Sequence, residues 1–256
     1  MTFSRKIVVL VGVILGSFLN IAAQTDADAV WNRANTLYAN GEYEAALISY
    51  DSIANEGLQS ARLYFNMGNA HFKLGHKGQA ILFYHRAQRL DPGDKDTAYN
   101  LAYVNSFTKD RIESVPRFFL AEWFDAVRNL LSSNAWASMS IVALALTLAM
   151  VLLYLLARSR KARKWGLGFA IVFLLLNLLT VSFSASSRRR VLDHSHAVVL
   201  TPAASVKSSP DRSSKDMFIL HEGTLVKVLN RLGDWVEIEI ADGNEGWITS
   251  TSIEII

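Results

Sequence analysis

Residues 134–156 run for 23 positions without a charge, and residues 165–183 for a further 19. As α-helices they would be roughly 34 Å and 28 Å long. Both lengths match a hydrocarbon layer about 30 Å thick, and the helices of soluble cores rarely run this far without a charged residue. The segment between them, 157–164, holds Arg158, Arg160, Lys161, Arg163 and Lys164. So basic a loop stays on the cytoplasmic side. Its brevity makes the two helices antiparallel neighbours, and both flanking regions then lie outside the cytoplasm. Arg188, Arg189 and Arg190 after the second run pull the other way. Trp136 and Trp165 suit the aromatic belts of a bilayer. Neither run has an ionisable residue at mid-depth, so an ion or proton pathway has no candidate.

The N-terminus supports the same topology. Arg5 and Lys6 precede an uncharged run from Ile7 to Leu19, and Ala22 and Ala23 follow. These are the parts of a secretory signal peptide over 1–23, cleaved after Ala23; an uncleaved anchor helix is the alternative. Net charge is +3, but the basic excess sits in 1–23 and 134–190, and the remaining stretches are acidic. Such a distribution opposes a nucleic-acid footprint and fits membrane lipid flanked by acidic soluble modules. With 51% hydrophobic residues the chain is too apolar for disorder. The absence of cysteine excludes disulfides, thiolate metal sites and cysteine nucleophiles.

The first soluble module repeats every 34 residues. Gly41 recurs as Gly75, Ala46 as Ala80, Tyr50 as Tyr84 and Asn35 as Asn69. Asn32, Asn66 and Asn100 form a longer series, as do Trp31, Phe65 and Tyr99. This period, with small residues at helix contacts, resembles the tetratricopeptide repeat over 27–108. Gly68 and Ala80 should let paired helices approach, Gly75 should support the turn between them, and Pro92 marks an exit. Such helix pairs cannot bury their apolar faces alone, so the open end needs a cap. The amphipathic segment 115–131, with Phe119, Leu120, Trp123, Phe124 and Val127, is expected to pack there; the alternative is the membrane interface. The resemblance implies a concave protein-binding face carrying Trp31, Asn35, Tyr38, Arg62, Phe65, Asn69, Phe72, Lys73 and Tyr99. The bland alternative makes the aromatics inter-helix core and the asparagines braces.

Beyond Arg190 the pattern changes to period 2. Strands are expected at 197–200, 217–220, 224–229, 235–240, 246–248 and 252–256, with Asp242-Gly243-Asn244 as a hairpin turn. Gly233-Asp234-Trp235 followed by Asp242-Gly243 and Gly246-Trp247 resembles the bacterial SH3 (SH3b) domain over 196–256. Members of that family bind peptides or peptidoglycan. Trp235 and Trp247 are then candidate ligand-binding residues, although barrel core is the expected place for both.

No catalytic constellation emerges. The six histidines form no His-Glu-x-x-His pattern, and neither a nucleophile elbow nor a phosphate-binding glycine loop is present. The expectation is a non-enzyme without metal or cofactor. The fold class is a multi-module membrane protein: an α-helical tetratricopeptide-repeat solenoid, a two-helix transmembrane hairpin and a C-terminal all-β SH3b barrel. This order is similar to the BatE-type proteins of the Bacteroides aerotolerance operon. The resemblance implies a bacterial inner-membrane scaffold with both soluble modules periplasmic. Its implied partners are other membrane proteins, including von Willebrand A domain proteins and a MoxR-type ATPase. Its implied role is envelope integrity or oxidative-stress tolerance. A peptidoglycan-binding cell-wall sensor is the second expectation.

Overall fold

The computed structural model describes residues 27–113, 115, 116 and 118–256; the leader expected over 1–23 lies outside them. Five helices open the fold: α1 (27–39), α2 (Tyr43–Asn55), α3 (Ala61–Lys73), α4 (Lys77–Leu90) and α5 (Lys95–Asn105). They stack as two helix pairs and the first helix of a third. Gly41 and Gly75 hold equivalent turns between paired helices at φ of +85° and +82°, a backbone state that side chains with a Cβ disfavour. Ser60 caps α3 by accepting from Leu63 N, and Asp94 caps α5 by accepting from the backbone of Asp96 and Thr97. Gly68 and Ala80 act as their sizes require. Ala80 is fully buried, and a Cβ on Gly68 would stand 2.7 Å from Cε1 of Tyr84.

α6 (Phe119–Arg128) follows, then α7 (Ser133–Leu156) and α8 (Arg160–Val191). α7 and α8 are long and apolar enough to cross a membrane, and they pack against each other as an antiparallel hairpin. Several of its polar groups bond within it. Asn177 donates to the Ser140 carbonyl at 2.6 Å, Thr147 to that of Ala143, and Thr180 to those of Leu176 and Asn177. At the open end, Ser133 donates to the Ser184 carbonyl and Ser184 to the Ser133 carbonyl, at 3.2 and 3.1 Å.

The C-terminal module is an antiparallel sheet of β1 (His196–Val199), β2 (Ala203–Lys207), β3 (Asp216–His221), β4 (Leu225–Leu232), β5 (Trp235–Glu239), β6 (Glu245–Thr249) and β7 (Ile253–Ile255). The spatial order is β3-β2-β6-β5-β4-β1-β7. Val199, Val206, Leu220, Val226, Ile238 and Ile248 join one buried cluster. Residues from six of the seven strands can meet in this way only because the sheet curls round them. The sequence pattern missed β2, whose alternation is carried by Ala204 and Val206 alone.

The segment 115–131 does not close the solenoid; the β-module does. Ala197, Val198 and Val199 are all fully buried. Ala197 and Val199 point into the barrel core, while Val198 and Ile256 join Ala80, Ile81, Leu82, Tyr84, Leu101 and Val104 of α4 and α5. No residue of α6 is buried. This helix instead leans on the hairpin, where Phe124 meets Phe183 edge-on at 4.9 Å and Trp136 Nε1 donates to the Arg128 carbonyl.

Candidate protein-binding groove and module junction

The 34-residue period builds one hydrogen-bonded unit twice. In the first copy the Asn35 carboxamide oxygen accepts from Tyr50 Oη at 2.7 Å and from Asn66 Nδ2 at 3.0 Å. In the second, the Asn69 oxygen accepts from Tyr84 Oη at 2.6 Å and Asn100 Nδ2 at 2.9 Å. Each unit ties three successive helices together. Burial, opposed by the hydrogen bond to Asn100, holds the Tyr84 hydroxyl well above the usual phenol range, so it remains a donor. The oxygen of Asn69 is thus doubly occupied, so what this half-exposed residue can still offer on its outward side is its amide N–H groups.

That outward side is a groove of about 360 Å³. Five of the nine expected residues line it: Tyr38, Asn69, Phe72, Lys73 and Tyr99. Lys73 is exposed, and Tyr99 is 71% exposed. The remaining four lie apart. Trp31 packs on Tyr50 at 5.7 Å, with the Arg62 guanidinium over its ring at 5.8 Å, and Phe65 packs on Tyr84 at 6.0 Å. These rings brace the helix pairs, as the bland alternative had it. Asn35 bonds within its unit. Tyr103, absent from the expected set, completes the groove and meets Phe72 edge-on at 5.8 Å. Its signal was available, since it lies one helical turn beyond Tyr99 on α5. The groove therefore offers amide donors, an aromatic lining and, in Lys73, an exposed cation.

Trp235 and Trp247 are not barrel core. Along β5 and β6 the inward positions belong to Val236, Ile238, Gly246 and Ile248, and the two tryptophans alternate with them on the outer face, half-buried. Glu237 stands directly across from Trp247. The phase of the alternation is set by the uniformly apolar run of Val236, Ile238 and Ile240, which fixes the core face and leaves Trp235 outside with Glu237 and Glu239.

The junction of the modules is strongly polar around its apolar centre. Asp110, on the segment after α5, accepts from His221 N at 2.6 Å, His221 Nδ1 at 2.7 Å and Thr224 Oγ1 at 2.6 Å. Burial alone would raise the Asp110 carboxyl, but these hydrogen bonds outweigh it and hold the group below the ordinary carboxylate range. Glu222 caps α4 from across the junction, accepting from Gly78 N at 2.8 Å. Arg86 donates to Glu254 at 2.9 Å and to the Ile255 carbonyl at 2.6 Å. Arg89 donates to the Ile256 carbonyl. A cavity of about 450 Å³ opens beside these contacts, lined by His85, Arg89, Arg190 and His196 among others. Among the described residues no cluster of acidic, histidine or cysteine side chains could hold a metal ion.

Residues 61–94 match the tetratricopeptide repeat model, and residues 202–254 match the bacterial SH3 domain model. No curated protein matches the chain. The two matched modules are of kinds that bind proteins or peptidoglycan, and the two apolar helices suggest association with a membrane.

Proposed function

We propose that this protein is a non-enzymatic scaffold of the bacterial inner membrane, with both soluble modules in the periplasm and the 157–164 loop in the cytoplasm. The groove formed by Tyr38, Asn69, Phe72, Lys73, Tyr99 and Tyr103 carries this reading. An extended partner segment would give its carbonyls to the Asn69 amide and its apolar side chains to the aromatic wall. Lys73 would favour a nearby carboxylate. The basic loop supports the orientation through the positive-inside rule. So does the direct contact between the soluble modules, which requires one compartment for both. The resemblance to BatE-type proteins supports partners among membrane proteins with von Willebrand A domains and a MoxR-type ATPase, and a role in envelope integrity or oxidative-stress tolerance.

The test is cross-linking and pull-down from native membranes with Lys73→Glu/Tyr99→Ala. Both side chains are exposed, so the fold should survive while partner recovery falls; unchanged recovery rejects the groove. Protease added to spheroplasts checks the orientation. Both soluble modules should be cut before lysis, and protection of either rejects it.

The outward placement of Trp235 and Trp247 favours a second reading, peptidoglycan binding by the β-module. The detergent-solubilised chain should then pellet with purified sacculi, and Trp247→Ala should weaken pelleting. Absence of co-sedimentation rejects this reading.

A further inference from the structure

Among the described residues, α6 has an apolar face that nothing covers beside the hairpin. Phe119, Leu120, Trp123, Phe124 and Val127 fall on one side of it, with Glu122, Asp125 and Arg128 on the other. Phe119 is 67% and Trp123 66% exposed, and Phe118 just before the helix is equally bare. In a soluble protein such a patch marks an interaction surface.

The position of the helix says what covers it. The reciprocal bonds of Ser133 and Ser184 mark the level at which the hairpin ends. Phe124 meets Phe183 at that level. Arg128 is fastened to Ser186 at 2.9 Å and to Asp125 at 2.5 Å. The exposed side of α6 is thus continuous with the bare outer surface of α7 and α8, which faces hydrocarbon if the hairpin is inserted. Arg188 and Arg189 are exposed about one turn beyond Ser184 on α8, some 6 Å further along its axis, with no ion pair among the described residues. Arg190 is held by Asn129 at 2.7 Å.

We propose that α6 is an interfacial helix. It lays its aromatic face into the boundary between headgroups and acyl chains, in the leaflet that faces the soluble modules. Arg188 and Arg189 meet the lipid phosphates just above it. Aromatic rings and arginines favour this layer. The assignment also accounts for three arginines at the end of the hairpin opposite the basic loop. It rests on the proposed insertion of the hairpin.

The chain has no cysteine, so single spin labels report cleanly. The full chain would be reconstituted in nanodiscs containing phosphatidylglycerol, with Leu120→Cys, Trp123→Cys or Glu122→Cys labelled on α6 and Val142→Cys on α7. Collision rates with oxygen and with a water-soluble nickel chelate would be measured. Labels at 120 and 123 should give a several-fold higher ratio of oxygen to nickel collisions than the label at 122. Equal nickel access at all three α6 sites overturns the proposal. Shielding of 120 and 123 from both reagents also overturns it, since protein rather than lipid would then cover the face. The label at 142 separates the two readings. Lipid exposure there with water exposure at 120 and 123 sinks the interfacial helix alone; water exposure at 142 sinks the inserted hairpin.

Discussion

Asp110 and His221 are 111 positions apart in the chain, yet the carboxylate of the first takes both the ring and the backbone N–H of the second. This pair, with Thr224, latches the β-module onto the repeats. Asp110→Ala leaves three donors without their acceptor in a largely buried site. A loss of about 2–4 kcal/mol from the junction is expected. Hydrogen exchange should speed up along α4, α5 and β1 while the centre of the sheet stays protected. Asp110→Asn keeps one acceptor and should fall between the two. Uniform protection in Asp110→Ala would remove the latch.

Gly68 sets the spacing of α3 and α4. Gly68→Val drives side-chain atoms into the Tyr84 ring, where even a Cβ lies 2.7 Å from carbon. Overpacking of this kind costs about 1–3 kcal/mol, read as a lower denaturation midpoint. Gly168→Ala meets open space and should change far less.

The repeats lose stability in mild acid. Burial, and then the neighbouring His196, push the His85 imidazole down to about 4 from 6.5. Burial and then His76 do the same to His71. Above pH 6.5 both folded and unfolded chains carry these rings neutral. Between pH 6.5 and 4 the unfolded chain takes up protons that the folded one refuses. The more deeply buried His85 then steepens the fall in stability by up to about 1.4 kcal/mol per pH unit, and His71, partly open to screening solvent, adds less. Chemical denaturation at pH 7.0, 6.0 and 5.0 should show this decline, and His85→Gln should make it shallower.

Asn69→Asp separates bracing from recognition. A carboxylate still accepts from Tyr84 and Asn100 but has no N–H to offer the groove. The thermal midpoint should change little while partner recovery falls. A large drop in the midpoint with normal recovery would make Asn69 purely structural.

Asn177→Leu removes the bond to the Ser140 carbonyl inside the hairpin. Helix–helix hydrogen bonds in membranes are modest, so a loss of about 0.6–1.7 kcal/mol in α7–α8 association is expected, measured by steric trapping in bicelles. No change would mean that close packing alone holds the pair.

The repeats were legible because their chemistry is local: Asn35, Gly41 and Tyr50 recur as Asn69, Gly75 and Tyr84, and the recurrence is in the sequence itself. The apolar helices announced themselves by length. The junction was hidden because its pairs, Asp110 with His221 and Gly78 with Glu222, join residues that no periodicity links. One trace existed in the unbroken run Ala197-Val198-Val199-Leu200. A strand with one wet face alternates; this one does not, because both of its faces are covered. Trp235 and Trp247 misled by their bulk. Size argues for the interior, but the pleat is governed by the smaller Val236 and Ile238 beside them. Tyr103 completes the groove from a helix whose partner repeat helix is missing from the pattern.

α8 continues for 32 residues, from the arginine–lysine bend to within a few residues of β1, a rod of about 48 Å. An unbroken rod has no elbow. With the hairpin inserted as proposed, whatever tilts the half of the rod in the bilayer would carry the docked assembly above it, and the groove with it. A binding surface fixed in this way cannot search the space around it. With the hairpin so inserted, it would scan only as the whole protein drifts sideways, which would favour quarry that is itself confined to two dimensions.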